Sequence, residues 1–246
     1  MIRHSRIDKR QCHMGARSAS VNAARGFAHV ALTIVALACG VAAAGAQSLQ
    51  MDKPVKIVAF GDSLTAGYML APSEAFPIVL GKALVARGYN VEMINAGVSG
   101  DTTSGARERV GWAVPPDADA VILEFGANDA LRGLDPAAAK RNLDFLIRGF
   151  KAQKTEILLA GMVAPRSMGD RYTKTFDAMF PELAAQYGLL LYPFFLDKTA
   201  LQPQLSLQDG MHPNAKGVAA IVTDILPKVE ELIARVKAQR TAAVKG

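Results

Sequence analysis

The sequence predicts an α/β domain built on five parallel strands, doubly wound by helices on both faces of the sheet. Two observations predict it. From residue 55 onward, short β-branched or apolar runs alternate with longer amphipathic stretches, the pattern of successive βαβ units. Three strand-to-helix junctions, at 61–64, 97–101 and 126–129, combine glycine with polar residues at the edge where open parallel sheets hold ligands. With 246 residues, half of them hydrophobic, the chain can bury one sizeable core, and 47–246 read as one domain.

Before that domain, 1–46 read as an export signal. Arg3, Arg6, Lys9, Arg10, Arg17 and Arg25 stand against the single acid Asp8, followed by an apolar stretch over 30–44 and then Ala44-Gly45-Ala46 before Gln47. Cleavage after Ala46 is the leading expectation, with export to the periplasm or the medium. A start at Met14, followed by Gly15-Ala16-Arg17, gives a more typical signal than Met1. Two other readings rank below cleavage. A retained membrane anchor is disfavoured because the apolar run falls short of the roughly 20 residues a span needs. A lipoprotein site at Cys39 has Ala36 three residues before it, where leucine is usual.

The leader also accounts for the basic charge. The whole chain carries +6, but beyond residue 46 there are 22 basic and 21 acidic residues, a nearly neutral body that speaks against binding a phosphate backbone. Cys12 and Cys39 both lie in the leader, so the mature chain has no disulfide to form and depends on its core.

Strands are predicted at 55–60, 91–95, 120–125, 156–162 and 189–193. Asp135-Pro136 supplies a cap and a first-turn proline to a helix carrying Leu143, Leu146, Ile147 and Phe150 on one stripe. The last helix starts after Pro213-Asn214 and carries Val218, Ile221, Val222, Ile225, Val229, Leu232, Ile233 and Val236, with Pro227 expected to kink or split it. These stripes read as core. The tail beyond about Gln239 is expected to fray.

Chemistry enters through a count. Of four histidines, His4, His13 and His29 are in the leader, leaving His212 alone in the mature chain, three residues after Asp209. A serine hydroxyl needs a base to become a nucleophile, and neutral imidazole suits that task near pH 7. Ser63, directly after the first strand, is the candidate nucleophile. A turn or cap serine is the commoner fate of such a residue, and only the surrounding pattern reverses those odds. Asp209 is placed to orient the imidazole. Oxyanion donors are expected in the N–H groups of Ser63 and Gly100 and the side-chain amide of Asn128, all on the same edge.

Asp62 and Asp129 read as structural, bonding loop amides or one of Arg107, Arg109 and Arg132; Asp101 reads as a helix cap. Zinc chemistry is unlikely on composition with one histidine and no mature cysteine. Neither nucleotide-cradle glycine pattern is present. Nor does Ser63 sit in the G-x-S-x-G of α/β-hydrolases.

Together these residues resemble the SGNH, or GDSL-type, hydrolases. Gly61-Asp62-Ser63-Leu64, Gly100, Gly126-Ala127-Asn128-Asp129 and Asp209-Gly210-Met211-His212 look like the family's four blocks in order, across essentially all of 55–235. The tetrapeptide alone is weak; four ordered blocks are specific. Gly67-Tyr68, Asn95 through Thr103 and Leu131-Arg132-Gly133 are similar to the exported bacterial branch with thioesterase, arylesterase and lysophospholipase activities. The resemblance implies a flavodoxin-like sheet, hydrolysis of small-molecule acyl esters or thioesters through an acyl-enzyme, and no cofactor. Ala127 departs from the second glycine frequent there, which implies a stiffer loop.

Apolar loop residues offer an acyl groove: Met69, Leu70, Ala71, Leu131, Leu134, Met162, Val163, Ala164, Pro165 and Met211, with ordinary loop packing as the competing explanation. Two rivals stay open, a carbohydrate acetylesterase with the same triad and a non-catalytic flavodoxin-like binding protein.

Overall fold

The computed structural model describes residues 53–245; the expected leader and its cleavage site lie outside them. Five strands form one parallel sheet: β1 Val55–Gly61, β2 Val91–Gly97, β3 Ala120–Glu124, β4 Glu156–Ala160 and β5 Leu190–Tyr192. Their order is β2-β1-β3-β4-β5, the flavodoxin-like arrangement. Every residue of β3 is buried, and β1 is buried except for Lys56, so both strands read as unbroken apolar runs because helices cover both faces.

The helices are α1 Ser63–Ala66, α2 Phe76–Ala86, α3 Thr103–Ala113, α4 Ala127–Leu131, α5 Pro136–Ala152, α6 Asp170–Tyr187 and α7 Ala215–Lys245. Asp135 caps α5 as expected, accepting from the N–H groups of Ala137 and Ala138, and Leu143, Leu146, Ile147 and Phe150 are buried beneath it. The stripe of α7 is likewise buried from Val218 to Val236.

Two expectations about α7 need correction. Of the kink or split expected at Pro227, the split does not occur: the helix is continuous through it. Proline removes one ladder bond, and the buried Ile225, Leu226 and Val229 on either side hold the helix against the core through that loss. Nor does it fray at Gln239. Arg240 is buried and donates to the carbonyls of Lys53 and Pro54 at 2.7 and 2.9 Å, and to Asp119 Oδ2 at 2.7 Å.

β4 and β5 end earlier than predicted, at Ala160 and Tyr192. Beyond Ala160 the chain still pairs irregularly, Gly161 N–H donating to the Tyr192 carbonyl at 2.8 Å and Phe195 N–H to that of Gly161 at 2.9 Å. At the other side of the sheet a buried guanidinium ties two strand ends together. Arg109 of α3 donates to the carbonyls of Gly61 and Ala96, each at 2.9 Å, and to Asp101 at 2.7 Å. The loops after β1 and β2 are thereby fixed side by side, and the β1/β3 boundary is where strand order reverses.

Candidate active site

Buried charge concentrates at this edge. Among the described residues, the fully buried charged side chains are Asp62, Arg109, Glu124, Asp129 and Arg240, and all but Arg240 stand where β1, β2 and β3 end. Ionisable groups are costly to bury without partners, so such a cluster marks a built site.

Ser63 opens α1 directly after the β1 turn. Asp62 is the N-cap, its Oδ1 accepting from Leu64 N–H at 3.0 Å, and the turn presents the Ser63 hydroxyl at the edge of the sheet. His212 Nε2 lies 2.9 Å from Ser63 Oγ, across 149 residues of sequence. His212 Nδ1 lies 2.6 Å from Asp209 Oδ2. Asp209 Oδ1 also accepts from the N–H groups of Met211 and His212, at 2.9 and 3.0 Å. Burial works to raise the Asp209 carboxyl, but these backbone donors and the imidazole outweigh it and hold the carboxyl down to about 2. An ionised Asp209 assigns the imidazole proton to Nδ1, leaving Nε2 to accept from Ser63. Tyr68 covers the imidazole, its ring centroid 4.5 Å away.

The loop after β2 places Gly100 at φ +82, a left-handed conformation that favours glycine, and Arg132 holds its carbonyl at 2.7 Å. Within the described residues, neither the Ser63 nor the Gly100 N–H donates to another protein group. From the start of α4, just after β3, Asn128 Nδ2 donates to Asp62 Oδ2 at 3.0 Å. That bond uses one amide proton and leaves the second for another acceptor.

Beneath the turn is a buried acid outside the sequence expectation. Glu124, the last residue of β3, accepts from Thr65 Oγ1 at 2.9 Å and from Asp62 N–H at 3.3 Å through Oε2, while Oε1 meets no donor. Burial and the neighbouring Asp62 carboxyl push Glu124 well above the ordinary carboxylate range. Burial also raises Asp62, to about 6, against the pull of the Leu64 and Asn128 donors.

Ser63, Asn128 and His212 open onto a mainly apolar cavity of about 310 Å³. Leu131, Met162, Val163, Pro165 and Met211 contribute to its wall. The opposite wall is the segment after β5, with Phe194, Leu196, Ala200 and Leu201.

Residues 59–220 match the model of the GDSL-like lipase/acylhydrolase family. The chain belongs to this family. Among curated relatives it is 35% identical to an arylesterase of Vibrio mimicus, over 64% of this chain and 80% of that one. It is 32% identical to thioesterase 1/protease 1/lysophospholipase L1 of Escherichia coli K12, over 72% and 84%. Among solved structures it is similar to AlinE4, described as an SGNH-hydrolase family esterase (42% identity, TM-score 0.62, 73% of this chain and 96% of that one). It is also similar to TesA (30% identity, TM-score 0.69, 72% and 99%).

Measured against the sequence, the GDSL-type fold brings Ser63, Asp209 and His212 into one hydrogen-bonded line and sets Asn128 against Asp62. Leu134 lies off the cavity wall, 40% exposed, with its carbonyl taken by the Tyr172 hydroxyl at 2.8 Å. Met69, Leu70, Ala71 and Ala164 also fall outside the lining. Asp62 bonds a loop amide as expected, whereas Asp129 takes the N–H and hydroxyl of Thr103 at 2.9 and 2.6 Å; an arginine serves neither. Asp101 is not the cap of α3. Thr102 takes that place, accepting from Gly105 N–H at 3.3 Å, because Asp101 is committed to Arg109. The Phe194–Leu201 wall was missed, although its place after β5 puts it on the same carboxyl edge as the other loops.

Proposed function

We propose that this GDSL-family hydrolase is a serine esterase that cleaves acyl esters, and thioesters as well, through an acyl-enzyme. The observation that carries the reading is the Ser63–His212–Asp209 line, at 2.9 and 2.6 Å, opening onto an apolar cavity. In this reading His212 Nε2 takes the Ser63 proton as Oγ attacks the acyl carbon. The imidazolium, stabilised by Asp209, then protonates the departing alkoxide or thiolate. Water repeats the sequence and releases the acid. The negative charge on the carbonyl oxygen is met by the Ser63 and Gly100 N–H groups and by the free proton of the Asn128 amide.

The cavity's volume is that of about ten water-sized groups, which suits a medium acyl chain rather than acetate alone. The arylesterase and thioesterase names of the relatives agree with this substrate class. The apolar lining counts against the carbohydrate acetylesterase alternative. The leader composition supports export, with cleavage after Ala46 and a periplasmic or secreted mature enzyme. Its nearly neutral body gives no ground for a nucleic-acid partner, and no helix among the described residues is long and apolar enough to cross a membrane.

The test is hydrolysis of p-nitrophenyl esters from acetyl to palmitoyl by the wild type and Ser63→Ala. Activity that peaks at medium chains and vanishes in the variant is the expected result. Equal activity in both would remove Ser63 from the mechanism, and activity confined to acetate would favour the acetylesterase.

A further inference from the structure

We infer that Glu124 is a positioning residue of this site, acting on the oxyanion donor Asn128 through the turn residue Asp62. The inference rests on the esterase reading above and adds a residue outside its triad and oxyanion donors. Three observations lead to it. Glu124 is fully buried in an otherwise apolar strand, and its Oε1 is the only buried side-chain oxygen or nitrogen among the described residues with no hydrogen-bond partner. An ionised carboxylate there would leave an unpaired charge in a dry site beside a second carboxyl, a very costly arrangement.

Glu124 Oε2 accepts the Asp62 N–H at 3.3 Å, which sets two carboxyl residues side by side in a buried place where only one of them is expected to carry charge. Asp62 already accepts the N–H of Leu64 and the amide of Asn128, which favours its ionised form. Glu124 therefore holds the proton. The other charged groups nearby do not compensate Glu124. Arg109 donates to Asp101 and to the Gly61 and Ala96 carbonyls, Asp129 takes Thr103, and His212 lies beyond Asp62 with Ser63 and Asp209.

The third observation concerns Gly61. A Cβ at this position would lie 2.6 Å from Glu124 Oε2 and 2.1 Å from Thr65 Oγ1. The glycine that precedes Asp62 and Ser63 is thus the opening through which the Glu124 carboxyl reaches the turn. Thr65 and the Asp62 N–H both donate to Glu124 Oε2, and the carboxyl of the same Asp62 receives Asn128. Removing Glu124 frees the Asp62 backbone to shift, and the Asn128 proton no longer points at a fixed place. A misplacement on the order of 1 Å is worth up to about a hundredfold in rate.

The experiment measures kcat and KM on p-nitrophenyl butyrate for the wild type, Glu124→Ala, Glu124→Gln, Asn128→Ala and the Glu124→Ala/Asn128→Ala double variant. Infrared spectra of the wild type and Glu124→Gln are recorded alongside. Glu124→Ala is expected to lower kcat about tenfold to a hundredfold with KM within about threefold. Glu124→Gln, whose amide oxygen can still accept from Thr65 and the Asp62 N–H, is expected to recover most of that loss. The double variant should be no worse than Asn128→Ala by more than about threefold, because both changes remove one interaction. The wild type should show a protonated-acid carbonyl band at neutral pH that Glu124→Gln lacks.

Losses that multiply in the double variant, or a glutamine no better than alanine, overturn the inference. Absence of the band overturns it too, and that result holds even if Glu124→Ala does not fold. Wild-type turnover in Asn128→Ala would identify a different failure, that of the oxyanion reading itself.

Discussion

Asn128 Nδ2 donates to Asp62 Oδ2 at 3.0 Å, so the side-chain amide that faces Ser63 is held by the residue directly preceding Ser63. The turn that carries Ser63 and the proposed oxyanion donor are therefore one mechanical unit, although 66 residues separate Asp62 from Asn128. Asn128→Ala should lower kcat by about a hundredfold to a thousandfold while KM changes far less, since the lost bond forms only as charge develops. Steady-state kinetics on a p-nitrophenyl ester checks this, and a parallel rise in KM would point to substrate binding instead.

Asp209 carries a prediction in both activity and acid stability. Its carboxyl titrates at about 2 in the folded protein against an ordinary 3.8. Between those values the folded state binds fewer protons than the unfolded chain. The stabilisation is present above about pH 3.8 and is lost as pH falls toward 2. Asp209→Asn should flatten the acid limb of a urea-midpoint profile in that window. It should also cut kcat by about a thousandfold or more, because an amide no longer stabilises the imidazolium.

The cavity predicts chain-length selectivity. Leu131 is 54% exposed yet lines the wall, and its side chain offers contact only to an acyl group long enough to reach it. Leu131→Ala should raise KM for an octanoyl ester roughly threefold to tenfold and leave acetyl hydrolysis within error, as each buried methylene contributes about 0.8 kcal/mol. An equal change for both substrates would place the acyl group elsewhere.

Arg240 predicts stability rather than rate. Arg240 is buried and serves two carbonyls and Asp119, so Arg240→Ala leaves the part-buried Asp119 carboxylate without its guanidinium. A loss of about 1–2 kcal/mol in urea unfolding is expected, with kcat unchanged in the fraction that remains folded.

How far the sequence could be read follows from where each residue's signal lies. The strands were legible because β1 and β3 are buried on both faces and leave uninterrupted apolar runs. The Ser63–His212 pairing was legible because a single histidine follows residue 46, which left one base to choose. Glu124 was not, since it belongs to a strand rather than to one of the glycine-containing loops that mark the site. An acid ending the otherwise apolar Ala120–Glu124 run was nonetheless a visible signal. Phe194 and Leu196 were hidden for the opposite reason: apolar side chains near the last strand read as core. Pro227 misled because proline's local penalty is fixed, whereas the packing on either side of it is not written locally.

The grip of Arg240 on Lys53 and Pro54 joins positions 187 and 186 residues apart. It ties the last helix to the backbone just before the first strand, so Lys53 and Pro54 receive this tie from a residue made near the end of the chain. A chain emerging in order from the ribosome therefore holds β1, a central strand, without this clasp until almost all of it has been delivered. Shortening α7 from its carboxyl end past residue 240 would change the order of assembly of this protein, leaving the catalytic edge intact in sequence but without the tie that completes the sheet's other end.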